Sequence, residues 1–379
     1  MHILIVDDNP VNLIVIEKIL KSAGYMDYTA MTSAMELFDY LKNDSIETNY
    51  NPVDLILMDI MMPIMDGIEA CRQIQRVERL RDIPIIMVTA LGDSLKLAEA
   101  LEAGAIDYVI KPINKIELIA RIRVALRLKY EKDWHKENEQ RIRHELELAK
   151  QVQSNVLSLP LQNEQIEIKA VYHPSSELAG DYYAWYQIDE DRYGVILLDI
   201  MGHGISSSLV CMFISSVMQD TITKYVSPEI VIAELNRYMN QLNSRNQQIN
   251  YYFTAIYLLI DVKNRTIEYV NAGHPPGLIL ENGVVKAELN QGSCAVGFFG
   301  QMDIQKAILK FENSIEIVMY TDGLLEALEE PEQEPLHRLT EELTRCTGLD
   351  LSCIIDNLLP PEVLDIQSDD ICIVRITVP

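Results

Sequence analysis

The chain has 379 residues, 48% of them apolar, and a net charge of −25 at neutral pH. That length supports two or more domains with separate cores, and the charge argues against a nucleic-acid backbone or an anionic membrane as the main partner. Six scattered cysteines with no CxxC pair argue against a disulfide or zinc framework and for the reduced thiols of a cytoplasmic protein. The sequence opens on HILIV with no basic leader, so no signal peptide is expected. No apolar run approaches the roughly 20 residues that span a bilayer.

Residues 1–125 alternate between short apolar runs and helical spacing. The runs His2–Val6, Tyr28–Ala30, Leu55–Met58, Ile85–Val88 and Tyr108–Ile110 predict strands. Val11–Ala23, a helix capped by Ser33, Gly67–Arg76, Ser94–Ala103 and Ile116–Leu128 predict the helices between and after them. Five βα units of this length predict a doubly wound parallel sheet, whose site lies at the carboxyl ends of the strands. Asp7, Asp8, Asp59, Thr89 and Lys111 fall at those ends. Three carboxylates repel one another unless a divalent cation sits among them, and Thr89 with Lys111 can hold a phosphoryl oxyanion. The plain alternative, aspartates serving only as caps, does not account for so many matched groups at strand ends.

This set, with the stretch MDIMMPIMDG around Asp59, resembles a response-regulator receiver domain over residues 1–125, with a flavodoxin-like (βα)5 fold. The resemblance implies that Asp59 accepts a phosphoryl group from a histidine kinase. Asp8, Asp59 and the Met61 carbonyl would bind Mg²⁺, with Asp7 assisting through water. Thr89 and Lys111 would bind the phosphoryl oxygens, Tyr108 would be the switch aromatic, and Lys111-Pro112 would be cis.

Residues 126–158 are dense in charge and poor in Gly and Pro, which predicts a long helical linker continuing the receiver's last helix. Leu126, Ile142, Leu146, Ala149, Val152 and Val156 form an apolar stripe, broken by Lys129, Asp133 and Glu137. A parallel coiled coil in a homodimer and a single helix packed on the second domain both satisfy it.

Residues 159–379 read as ten strands: Ile166–Tyr172, Asp181–Ile188, Arg192–Ile200, Phe253–Asp261, Thr266–Asn271, Gly277–Glu281, Val284–Leu289, Ile304–Phe311, Ile315–Thr321 and Ile371–Val378. Helices are expected at Ile205–Thr223, Pro228–Asn243, Leu336–Cys346 and Leu351–Leu359. Helices grouped in runs among antiparallel strands predict an α+β domain in αββα layers. Asp181, Asp199, Asp322 and the pair Asp369-Asp370 sit at strand ends and turns. Buried together, such acids need cations, and two hard metals about 3.5–4 Å apart with a shared water would make a hydroxide nucleophile for phosphoester hydrolysis. No GxSxG supports a serine hydrolase. His203 can be a base or structural, and Ser206–Ser208 are expected to pack or cap.

The blocks AGDYY, LDIMGHG, NAGHPP, YTDGLLEA and DDICIVRI, in this order, are similar to metal-dependent protein phosphatases of type 2C, in the bacterial branch typified by the sporulation stage II E phosphatase and the phosphatases that activate the stress-response sigma factor. The resemblance implies two Mn²⁺ or Mg²⁺ ions. Asp199 would bridge both, the Ile200 carbonyl would bind one, Asp322 and Asp369 the other, and Asp181 would act directly or through water. Whether Asp369 or Asp370 is the direct ligand stays open. Ala179 and Ala184 depart from the family's usual Gly and Asp. The expected whole is a serine/threonine phosphatase controlled through Asp59, acting on a phosphorylated anti-sigma-factor antagonist. Its rivals are a binding scaffold without turnover and a constitutive phosphatase whose receiver only dimerises.

Overall fold

The computed structural model describes residues 1–43, 53–90, 94–244, 249–329, 333–346, 349–364 and 367–379. Contacts divide the chain into Met1–Ile142 and Arg143–Pro379.

In the first unit β1 (His2–Val6), α1 (Pro10–Ser22), β2 (Tyr28–Met31), α2 (Ala34–Asn43), β3 (Val53–Asp59), α3 (Gly67–Arg76), β4 (Ile85–Ala90), α4 (Ser94–Glu102) and β5 (Asp107–Lys111) alternate. The strands form a parallel sheet in the order β2-β1-β3-β4-β5, which is the expected flavodoxin-like arrangement. Its strands are apolar on both faces because helices cover both. Leu4, Val6, Ile56 and Met58 pack toward α2 and α3, and Ile3, Ile5, Leu55 and Leu57 toward α1 and the last helix. Local signals set the helix starts. Asn9 caps α1 with Pro10 in its first turn, and Asp66 accepts from the Glu69 N–H to cap α3.

Helix α5 runs unbroken from Lys115 to Ser154. Nothing in its sequence stops it, since it holds neither Gly nor Pro. The expected linker is therefore the far part of one helix and the residues just after it. Its predicted stripe splits: Leu126 packs in the first unit's core and Val156 in the second's, while Ile142 and Val152 are exposed.

The second unit contains β6 (Leu161–Gln162), β7 (Glu167–His173), β8 (Tyr182–Gln187), β9 (Arg192–Ile200), α6 (Ile205–Tyr225), α7 (Pro228–Asn243), β10 (Phe253–Asp261), β11 (Thr266–Ala272), β12 (Gly277–Glu281), β13 (Val284–Leu289), β14 (Gly292–Ser293), β15 (Ala307–Lys310), β16 (Ile315–Tyr320), α8 (Asp322–Ala327), α9 (Pro335–Arg345), α10 (Leu351–Leu358), α11 (Pro361–Leu364) and β17 (Ile371–Val378). One sheet has the order β14-β11-β10-β9-β8 with β15 on β11, and the other β13-β12-β16-β17-β7-β6. Side chains alternate between layers with period two. Val195, Leu197, Ile256, Leu258, Ile317, Met319, Cys372 and Val374 fill the space between the sheets. Ile196, Leu198 and Ala255 pack outward on α6 and α7, and Val318, Tyr320 and Ile373 outward on α8, α9 and α10. The layers are αββα, as expected.

Three readings change. The strand expected over Ile304–Phe311 is confined to Ala307–Lys310. Asp322 is not at a strand end but is the first residue of α8, behind the N-cap Thr321. β6, β14 and α11 carry no apolar run long enough to announce them. Among the described helices, α6 is long and apolar enough to cross a bilayer by length and composition. Here Val210, Cys211, Ile214, Met218 and Ile222 bury one face of it in the sheet layer.

Candidate functional site

The first unit gathers its polar groups where the strands end. Asp7, Asp59 and Thr89 are buried, and Asp8 is exposed. Asp7, Asp8 and Asp59 each offer one oxygen within 4.8 Å of the others. Lys111 Nζ lies 2.9 Å from Asp7 Oδ2 and 3.0 Å from Asp59 Oδ2. Burial raises the Asp59 pKa and the Asp7 charge adds to the rise, against the opposing pull of Lys111. Burial alone would lower the Lys111 pKa, but its two carboxylate partners together raise it. Asp7 Oδ1 is fixed by the Asn9 N–H and Asn12 Nδ2, both at 2.9 Å. Thr89 Oγ1 donates to its neighbour's carbonyl at 3.3 Å. Tyr108 is half-buried with the Arg121 guanidinium 5.5 Å over its ring. The Met61 side chain is exposed. Lys111-Pro112 is cis. Three carboxylates set against one ammonium suit a hard divalent cation.

The second unit's acids are placed by strand alternation. Leu197, Tyr183, Met319 and Cys372 face the space between the sheets. Two residues further toward one end of the sandwich, with the same parity, stand Asp199, Asp181, Thr321 and Asp370. The acid row is thus the open end of the inter-sheet core. Asp322 and Asp369 lie at the same end, off that parity, on α8 and just before β17.

Asp181 is fully buried, and burial, with Asp199 and Asp370, raises its pKa well above the carboxylate range. Burial likewise pushes Asp199 up to about 7, with the charges of Asp322, Asp369 and Asp370 adding to it. Asp369 is raised by burial and by Asp322, Asp370 and Glu326. The largest charge effects on these three acids come from other carboxylates. Asp322 is exposed, and among the described residues no salt bridge reaches these acids and only Asp7, Asp8 and Asp59 gather within 4.8 Å of one another, so divalent cations here would relieve the repulsion by drawing the second unit's acids together. Asp370 differs from its neighbour. It accepts from the Ser175 N–H at 2.8 Å, Ser175 Oγ at 2.9 Å and the Gly180 N–H at 2.7 Å, so both its oxygens hold the loop that carries Asp181.

Three contributors were not singled out from sequence. Thr321 Oγ1 donates to Asp181 Oδ2 at 2.8 Å and accepts from the Cys372 N–H at 3.0 Å. Gln153, near the end of α5, is buried; its Nε2 donates to the Ala179 carbonyl at 2.7 Å and its Oε1 accepts from the Ala179 N–H at 3.1 Å. It thereby clamps the peptide two residues before Asp181. Gly323 is required by contact, since a Cβ there would overlap the Asp370 carbonyl oxygen. Only the Asp-Gly pair at 322–323, matching Asp66-Gly67 ahead of another helix, hinted at the last.

Residues 189–379, just over half of the chain, match the model of the stage II sporulation protein E family. The chain belongs to that family. Residues 3–123 match the response regulator receiver domain. The phosphoserine phosphatase RsbP of Bacillus subtilis is 42% identical over 184 residues, which is 48% of this chain and 46% of that protein. The DNA-binding dual master transcriptional regulator RpaA of Synechocystis is 36% identical over 126 residues, 33% of this chain and 49% of that protein. The chain therefore spans about half the length of the curated relatives it matches. The SiaA-PP2C domain of Pseudomonas aeruginosa superposes with a TM-score of 0.54 at 18% identity, covering 64% of this chain and 99% of that one, and shares the fold. A receiver domain is thus fused to a PP2C-type domain related to RsbP.

Proposed function

We propose that the chain is a metal-dependent protein serine/threonine phosphatase whose rate is set by phosphorylation of Asp59. The observation that carries this reading is the row of acids closing the inter-sheet core, raised in pKa by burial and by one another. Asp199, Asp322 and Asp369, with Asp181 and the Ile200 carbonyl, would hold two Mn²⁺ or Mg²⁺ ions. Asp369 rather than Asp370 is the ligand in this reading, because Asp370 already serves Ser175 and Gly180. Bound there, divalent ions would lower the pKa of a coordinated water and offset charge on the phosphoryl group. The protein's own part is orientation. Thr321 aims Asp181, Asp370 ties down its loop, and the sheets exclude water beneath.

In the receiver, Asp59 takes the phosphoryl group from a histidine kinase; Asp8, Asp59 and the Met61 carbonyl would hold Mg²⁺, with Asp7 assisting through water. Thr89 and Lys111 receive the phosphoryl oxygens, and Tyr108 reports the change. Continuity of α5 from the receiver to Gln153 supports transmission along that helix to the Ala179–Asp181 loop. Leu148 and Val152, one turn apart and exposed on α5, are available to a second copy in a homodimer. The substrate is phosphoserine or phosphothreonine on an anti-sigma-factor antagonist, in a cytoplasmic partner-switching pathway.

The test is Mn²⁺-dependent hydrolysis of a phosphoprotein, with and without beryllofluoride as a mimic of phosphorylated Asp59. The expected result is a rate that requires Mn²⁺, changes with the mimic and is lost in Asp199→Asn. Turnover indifferent to the mimic would remove the control but keep the enzyme. No turnover under any metal would leave a binding scaffold.

A further inference from the structure

The turn Asn271–Pro276 has no part in the chemistry above, yet it delivers a buried imidazole to the acid row. His274 Nδ1 lies 2.8 Å from Thr254 Oγ1. Thr254, on β10, stands directly opposite Asp199 on β9. Directly opposed residues of an antiparallel pair project from the same face, about 4.5–5.5 Å apart at Cβ. Thr254 is therefore the cross-strand neighbour of the Asp199 carboxylate on the inter-sheet side. Its other nitrogen, Nε2, is buried without a hydrogen-bond partner among the described residues. The turn that carries the ring joins β11 of one sheet to β12 of the other.

The turn has little freedom. Asn271 Nδ2 donates to the His274 and Leu289 carbonyls, both at 2.9 Å, and its Oδ1 accepts from the His274 N–H at 2.8 Å. Gly273 adopts φ +73°, and a Cβ there would come within 3.0 Å of the Ala295 nitrogen. Burial lowers the His274 pKa to about 3, so the ring is neutral. A neutral imidazole has one N–H and one acceptor. In the tautomer with its N–H on Nε2, Nδ1 accepts the Thr254 hydroxyl proton.

We propose that His274 is a positioning residue, a brace between the two sheets that acts through Thr254 to set the spacing of Asp199 from the acids of the opposite sheet. This rests on the reading of the acid row as a metal site. Outer partners of metal ligands typically change affinity or activity by about 10–100-fold when removed.

The test compares wild type, H274L, T254V, the double variant and H274N in the full chain. It uses calorimetric Mn²⁺ affinity as well as kcat and KM for a phosphoester. H274L is expected to weaken Mn²⁺ binding and lower kcat by about tenfold or more with little change in KM. T254V should reproduce it, the double variant should be no worse than the worse single one, and H274N, which keeps an acceptor near the Nδ1 position, should recover most of the loss. Multiplying effects in the double variant would overturn the brace, as would an H274L that melts earlier but keeps wild-type affinity and kcat. Should H274L fail to fold, T254V against H274N decides the matter in the same way. A wild-type chain that binds no Mn²⁺ overturns the metal-site reading together with the brace. Mn²⁺ binding by wild type with independent variants overturns the brace alone.

Discussion

Thr321→Val tests the hydrogen bonding behind the acid row. Valine keeps the shape of threonine and removes only the hydroxyl. Thr321 is fully buried, so no water replaces what is lost. The Cys372 N–H loses its acceptor, and an unsatisfied buried donor costs about 1–3 kcal/mol. The Asp181 carboxylate loses a donor at 2.8 Å, worth about 1.5–3 kcal/mol when the acceptor is charged. Together these predict about 2.5–6 kcal/mol of destabilisation in the metal-free protein at a pH where Asp181 is ionised. The loss should grow as pH rises, because the hydroxyl stabilises the ionised form of Asp181. Urea unfolding of the second unit can be followed by Trp185, which is buried in the inter-sheet core, in a Trp134→Phe background. With an m-value of about 3 kcal/mol/M, the midpoint should fall by about 0.8–2 M. Thr321→Ser keeps both hydrogen bonds and should lose only about 1 kcal/mol for its methyl group. A Thr321→Val midpoint within experimental error of wild type, or a Thr321→Ser as damaging as Thr321→Val, would refute the reasoning.

Three further outcomes follow from other parts of the molecule. Asp199 and Asp181 have folded pKa values above their unfolded ones, so the native state binds more protons and the metal-free second unit should lose stability as pH rises from about 4 through about 7; urea midpoints in EDTA across that range should show the fall, and Mn²⁺ should abolish it. Gly323→Ala forces the Asp370 carbonyl aside and should lower kcat at least about tenfold while costing about 1–3 kcal/mol, which steady-state kinetics and melting can separate. Lys111→Met leaves Asp7 and Asp59 facing each other without their cation and should destabilise the receiver by about 3 kcal/mol, partly restored by Mg²⁺ in thermal melts.

The fold was legible where burial imposes a period. β9, β10, β12, β13 and β17 follow their apolar runs residue for residue, because each is packed on at least one face and bounded by turn formers. The two-residue strands β6 and β14 had no such run. The continuation of the receiver's last helix into the linker was legible because no breaker occurs along α5. At the acid site, the sequence marked the Asp residues by their strands and glycines. It left Asp369 and Asp370 unresolved, and what ties up Asp370, Ser175 and Gly180, lies nearly 200 positions away. Gln153 and Thr321 were invisible for the same reason, since each takes its meaning from a partner that only the folded sheets bring near.

The shared parity of Asp181, Asp199, Thr321 and Asp370 with the inter-sheet core makes the acid row a gauge of strand register. A one-residue slip of β9 against β10 would turn Leu197 and Val195 out of the core and carry Asp199 to the helix-covered face in the same movement. A mispaired sandwich therefore cannot keep its acid site, and a chain that binds divalent ions at this end has its central strands correctly paired. During folding, ions present in the medium would favour the correct pairing over its neighbours in register, so cation binding would proofread the sheet before it serves any reaction.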